Sequence, residues 1–230
     1  MSAIATTPLL WLTVTLIVFA GADHVSMRSN RHPLCHPVLL ATPVLIAALV
    51  ASGTPYPVYR DATASLAFLL GPAVVGLAVP VWARRALIRR LAAPIALALA
   101  AGATTAIASA VGILWLFGAP PVLLASIAPR ATTTPVAMAL AQTLHGIPPL
   151  AAVLVLTAGV IGTMTATPLF DRMGIRDYRA RGFAIGVSAH GFGAARAFQV
   201  SEAGGAFASL AMALNAIATA ALLSLLAVCV

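Results

Sequence analysis

The run Ala128-Pro129-Arg130-Ala131-Thr132-Thr133-Thr134-Pro135 sets one guanidinium and three hydroxyls between two prolines. Proline lacks the backbone donor a helix needs and breaks it. Carbonyls freed around Pro129 and Pro135 therefore join the side chains of Arg130, Thr132, Thr133 and Thr134 in one polar patch. A guanidinium fork matches a carboxylate bidentately, so the chemistry on offer is recognition of a small anion. A plainer reading stands beside it: Arg130 reaches an interface with its charged head, and the threonines cap the helix that starts near Pro135.

A second run, Gly186-Val187-Ser188-Ala189-His190-Gly191-Phe192-Gly193-Ala194-Ala195-Arg196, carries a histidine, an arginine and three glycines, and is followed by Gln199 and Glu202. His190 is open to two readings. It titrates near neutral pH and couples a proton to movement of a ligand, or it stays neutral and bonds a carbonyl across a helix contact. Arg196 either faces an anion or pairs with Glu202. Ser188, Gln199, Glu202 and Asn215 are the supporting polar groups, and Asn215, alone in an apolar run, fits a link between helices better than a ligand site.

These residues must be held by elements suited to their solvent. Of 230 residues 61% are hydrophobic and 8% charged, and the mean hydropathy is +1.04. A soluble domain carries about 25% charged residues, so this chain cannot cover a globule with polar surface. Its solvent is a bilayer, which excludes a cytosolic enzyme. Net charge +8 suggests a nucleic-acid binder, but the basic residues punctuate apolar stretches of membrane length instead of forming a solvated face.

A spanning helix needs about 20 apolar residues. Polar, proline and glycine boundaries mark the segments Leu9–Ala22, Pro37–Ser52, Ala62–Trp82, Ala92–Phe117, Pro121–Leu140, Leu150–Phe170, Gly182–Phe198 and Ala206–Val230. The expected fold is an all-α polytopic membrane protein in a single domain, with about six to eight membrane segments. Some are broken or re-entrant, with helix breaks at Gly71, Pro72, Pro129, Pro135, Gly191 and Gly193. Leu9–Ala22 lacks a basic leader and a small-residue cleavage site, and reads as a retained span.

Short arginine-rich loops stay cytoplasmic. If Pro121–Leu140 enters and leaves on one face, Arg28, Arg31, Arg84, Arg85, Arg89, Arg90, Arg172, Arg176, Arg179 and Arg181 all lie inside, leaving Arg60, Arg130 and Arg196 among 13 basic residues. The stretch from Gly71 to Ala78 overlays Thr134 to Ala141, small residue on small residue, as proline-broken segments of an inverted-repeat carrier would. The halves would be about 33–117 and 118–230.

Cys35 and Cys229 lie at opposite ends and imply neither a disulfide nor a metal. His24, His32 and His36 surround the first inner loop without a ligand set for zinc, and His145 sits in a loop beside Gly146. No nucleotide-binding glycine loop, zincin helix or hydrolase triad is present. No cofactor, metal or enzymatic activity is expected.

With these residues in view, the chain resembles the LrgB/CidB family of bacterial membrane proteins, related to the plastidic glycolate/glycerate translocator. The resemblance runs from about Pro33 to Leu225. It rests on Leu70-Gly71-Pro72-Ala73-Val74-Val75-Gly76-Leu77-Ala78-Val79-Pro80, on Pro129 to Met138, on Ala180-Arg181-Gly182 leading to His190, Gly193, Ala195 and Arg196, and on Gly205-Ala206-Phe207 with Ser209-Leu210-Ala211. It implies a multi-pass protein of the bacterial inner membrane and a holin-like LrgA/CidA partner. It also implies either export of small monocarboxylates such as pyruvate, glycolate or glycerate, or antiholin-like control of murein hydrolases and autolysis. Under the first reading Arg130, Thr132, Thr133, Thr134, His190 and Arg196 hold the substrate. The chain departs from the family pattern at Ala189 and Ala194, where hydroxyl residues stand, and at Gln199 and Gly204, where acids stand. Close packing of Gly/Ala-rich spans such as that with Gly102 and Gly112 suits a homo-oligomer.

Overall fold

The computed structural model describes residues 8–29, 35, 37–76 and 78–229. The predicted inner-loop residues Arg31, His32 and His36 lie outside them. Every regular element among the described residues is an α-helix. Contacts divide the chain after Gly76 into two compact units.

The first unit holds α1 (Pro8–Arg28), α2 (Pro37–Ser52), α3 (Tyr56–Ala62) and α4 (Ala64–Gly76). Trp11 of α1 meets Tyr59 of α3 edge to face at 5.7 Å, and Thr15 shares a hydrogen bond with the Tyr59 hydroxyl at 3.1 Å. The chain bends by 120° between α2 and α3, where Gly53 at φ 64° and Pro55 end one helix and start the next. The expected break at Gly71-Pro72 is not there: α4 runs through Pro72. A proline is carried inside a helix at the cost of one ladder bond. An interruption of the predicted Ala62–Trp82 span falls instead at Thr63.

The second unit holds α5 (Ala78–Ala83), α6 (Arg85–Arg90), α7 (Ala92–Leu116), α8 (Pro121–Ile127), α9 (Thr134–Thr143), α10 (Pro148–Arg172), α11 (Tyr178–Val200) and α12 (Glu202–Cys229). Across both units α1, α7, α10 and α12 are long and apolar enough to cross a bilayer, and the bent pair α2 and α3 makes a fifth if counted as one span. The predicted Pro121–Leu140 segment is two short helices around a turn at 128–133. Pro129 sits in that turn, whereas Pro135 occupies the first turn of α9, where its missing N–H would have no partner in any case. Ile147 N–H donates to Ser126 Oγ at 2.8 Å, closing the α8–α9 segment into a loop.

α11 is a hairpin. His190 has φ 41° and ψ −127°, outside helical geometry. A Cβ on Gly193 would lie 2.3 Å from the Ile185 carbonyl oxygen, although the two residues would be separated by about 12 Å along a straight helix. The chain therefore turns back at His190, and Gly193 lets the returning arm pack on the outgoing one. The reversal falls on His190 itself; the expected breaks at Gly191 and Gly193 mark the space the turn needs. The outgoing arm also lies along α12, running in the same direction: a Cβ on Gly182 would strike Gly204 O at 2.1 Å, and one on Gly186 would strike Ala208 O at 2.3 Å.

α10 organises the rest. Ala137 and Ala141 of α9 pack on Val155 and Ala151 in its first half. Ala189, Ile185 and Arg181 of α11 meet Gly162, Ala166 and Phe170 in its second half. The two loops thus approach from opposite ends of α10 and meet at its middle, with small residues supplying both contacts.

Candidate functional site

Arg130 lies in the turn between α8 and α9, half-buried, and its Nη2 donates to the Ala106 carbonyl of α7 at 3.4 Å. Among the described residues no carboxylate pairs with it. It faces a cavity of about 780 Å³ between α7 and α11, a volume within the usual range for small-molecule sites. Thr105 and Ser109 from α7 and Ser188 from α11 line the same cavity, and Asp177 and Arg179 lie at the end where α11 begins.

The turn that presents Arg130 is built by its neighbours. Thr132, 1% exposed, donates its hydroxyl to Pro129 O at 2.8 Å. Thr133 occupies the N-cap of α9 without a side-chain cap bond. The Ala131 carbonyl accepts from Asn215 Nδ2 at 2.9 Å, and the same amide group donates to Val187 O at 3.2 Å on the outgoing arm of α11. Asn215, 0% exposed on α12, thus ties the two loops together where they meet, as a link between helices is expected to do. Its Oδ1 is buried and makes no hydrogen bond among the described residues.

His190 is 3% exposed, with Nε2 at 3.0 Å from Val155 O and its ring edge-on to Phe192 at 5.7 Å. A carbonyl accepts only, so Nε2 carries a proton and donates. Gly159 makes room: a Cβ there would stand 2.8 Å from His190 Cε1. Of the two readings of His190, the bond to a carbonyl across a helix contact is the one the geometry contains.

Arg196 lies on the returning arm and donates from Nη1 to Gln199 Oε1 at 3.3 Å. Glu202 forms an ion pair at 3.3 Å with Arg84, in the loop before α6. Of the residues expected to hold substrate, Arg130 lines the cavity together with the supporting Ser188. Thr132, Thr133, Thr134, His190 and Arg196 do not. For Arg196 the reason is the hairpin, since reversal at His190 carries it back along the outgoing arm; the Thr132 hydroxyl is turned onto Pro129 O.

Thr105, Ser109, Asp177 and Arg179 were not singled out from sequence. The signal in α7 was present as Ala98, Gly102, Thr105, Ala106 and Ser109, a small and hydroxylic stripe at helical spacing, concealed by apolar composition. Asp177 accepts at Oδ1 from Arg179 N at 2.8 Å and so caps α11, while Arg179 Nη2 pairs with its Oδ2 at 2.6 Å. The hydrogen bond from Arg179 holds the Asp177 carboxyl below the usual carboxylate range. Ion-paired to each other, these two leave Arg130 as the cation inside the cavity.

The LrgB-like family matches residues 15–229. The chain is 33% identical over 208 residues to the protein YwbG of Bacillus subtilis, covering 90% of this chain and 92% of that one. It is 32% identical over 210 residues to YxaC of the same organism, covering 90% and 91%. It is 26% identical over 217 residues to the holin-like protein CidB of Staphylococcus epidermidis, covering 94% of each. No solved structure matches it.

Proposed function

The chain belongs to the LrgB-like family of membrane proteins, and on that premise we propose that it is a secondary carrier of small monocarboxylates of the pyruvate, glycolate or glycerate type in the bacterial cytoplasmic membrane. The observation that carries this reading is Arg130, a half-buried guanidinium without an acidic partner among the described residues, facing a cavity of about 780 Å³. An arginine so placed inside apolar surroundings is costly and calls for an anion. Asn215 and Thr132 position the backbone around it, and the hydroxyls of Thr105, Ser109 and Ser188 share its cavity.

The architecture supports the same reading. The outgoing arm of α11, from Tyr178 to Ala189, rises about 18 Å, a little over half of a hydrocarbon core of about 30 Å. α8–α9 and α11 would then be re-entrant loops entering from opposite faces and meeting near the midplane, where the broken segments of a carrier place its site. The cavity reaches from Ser109 to the end of α7 that carries Leu91, close to the arginine-rich loops, and so would open to the cytoplasm.

The holin-like name of the CidB relatives favours a second reading, control of lysis together with a holin-like partner. The two part experimentally. Purified chain in liposomes should show saturable uptake of radiolabelled pyruvate, glycolate or glycerate. A regulator would show none, with or without a holin-like partner, and its activity in cells would survive substitution of Arg130 and Arg196 but fail when the open surface at Gly112, where a Cβ would meet nothing within 4 Å, is altered; Gly102 lines the cavity and does not separate the two.

A further inference from the structure

The cavity that holds Arg130 is polar at its two ends and apolar between them. At one end stands Arg130 beside Ala106; at the other the Asp177–Arg179 pair. The wall between is made by Pro94, Ile95, Ala98, Phe183, Val187 and Phe207. From Ala106 to Leu91 along α7 it extends about 22 Å. Two of its three hydroxyls are directed elsewhere: Ser188 donates to Ala184 O at 2.9 Å and Ser109 to Ala106 O at 3.5 Å on their own helices, and the third, Thr105, stands at the Arg130 end beside Ala106 and not along the wall. A two- or three-carbon hydroxy acid would satisfy Arg130 and leave this apolar wall facing water.

Resting on the carrier reading above, we propose that the site selects monocarboxylates that bear an unsubstituted hydrocarbon tail, with the carboxylate on Arg130 and the tail along the wall formed by Ala98, Phe183 and Val187. The charged head and the apolar walls then each meet their complement, and short hydroxylated acids become the weaker ligands. The wall supplies chain-length selectivity, because each methylene moved from water into such surroundings tightens binding about fourfold.

The test uses the full chain purified in detergent and a homologous series with a constant head: pyruvate, 2-oxobutanoate, 2-oxopentanoate and 2-oxohexanoate. These stay ionised at neutral pH, and 2-hexanone serves as the uncharged control. Affinity read from ligand-dependent thermal stabilisation should rise about fourfold per methylene, about 60-fold over the three methylenes from pyruvate to 2-oxohexanoate, and 2-hexanone should bind far more weakly than the last acid. Ala98→Phe, which fills the wall, should bring the longer acids down toward pyruvate. Equal or falling affinity along the series, with pyruvate bound, overturns the tail selectivity and leaves the carrier reading intact. Binding of 2-hexanone as tight as 2-oxohexanoate overturns it as well, since the cavity would then be an apolar groove indifferent to Arg130. Binding of none of the acids overturns both readings.

Discussion

Replacing Asn215 with leucine tests whether the two loops are held together at one point. The residue is 0% exposed and donates to Ala131 O at 2.9 Å and Val187 O at 3.2 Å; leucine has a similar volume and no donor. A hydrogen bond contributes about 1 kcal/mol net, and a buried carbonyl left without its partner costs about 1–3 kcal/mol. Side-chain bonds between helices measured inside membranes average nearer 0.6 kcal/mol. Against this, leucine relieves the buried, unbonded Oδ1. The balance is a loss of about 1–2 kcal/mol. Denaturant-driven unfolding in mixed micelles, followed by tryptophan fluorescence, reads that loss directly. Because Ala131 precedes the threonines and follows Arg130, freeing its carbonyl also lets the guanidinium drift, and pyruvate affinity should fall about tenfold, equivalent to about 1.4 kcal/mol. Asn215→Leu with stability within about 0.5 kcal/mol of wild type and unchanged affinity would refute the reasoning, since a tether whose loss is silent on both readouts is no tether.

Gly193→Ala and Gly186→Ala each force a Cβ within 2.3 Å of a backbone oxygen; both should lower stability by about 3 kcal/mol or prevent folding. Gly112→Ala, with nothing within 4 Å, should be neutral or stabilise by up to about 1 kcal/mol, and thermal melting compares the three. Gly159→Ala presses on His190 Cε1 at 2.8 Å; adding His190→Ala should recover part of the loss, a non-additivity of about 1 kcal/mol in a double-mutant cycle. Glu202→Gln removes an exposed ion pair with Arg84 and should change stability by less than about 1 kcal/mol, with substrate affinity unchanged.

Much of this was legible in the sequence, for physical reasons that can be named. Long apolar runs read true even where they carry a proline: the predicted Ala92–Phe117, Leu150–Phe170 and Pro37–Ser52 reappear as α7, α10 and α2 within a few residues, with Pro43 and Pro168 inside their helices, because apolar composition decides where a helix can lie in lipid. The polar, proline-flanked run around Arg130 was also visible, and it forms the turn facing the cavity. What was hidden is tertiary. Gly71-Pro72 looks like a break, yet α4 tolerates Pro72 because only one ladder bond is lost. The reversal at His190 was not visible, since a non-glycine residue at φ 41° is disfavoured locally and persists only where its surroundings hold it: the bond to Val155 O and the contacts at Gly159 and Gly193 do so. That reversal decides which polar groups meet. Arg196, three residues from Gln199, finds its partner nearby, whereas Glu202 finds Arg84 across 118 positions of sequence.

The central claim is that Arg130 anchors the carboxylate. The most direct measurement is counterflow of radiolabelled pyruvate in proteoliposomes by the wild type, Arg130→Lys and Arg130→Ala, each shown to be folded by its melting curve. The account predicts saturable exchange in the wild type, exchange weakened at least about tenfold when lysine replaces the two-pronged guanidinium with a point charge, and none above empty liposomes for alanine. Exchange by Arg130→Ala equal to that of the wild type would contradict it.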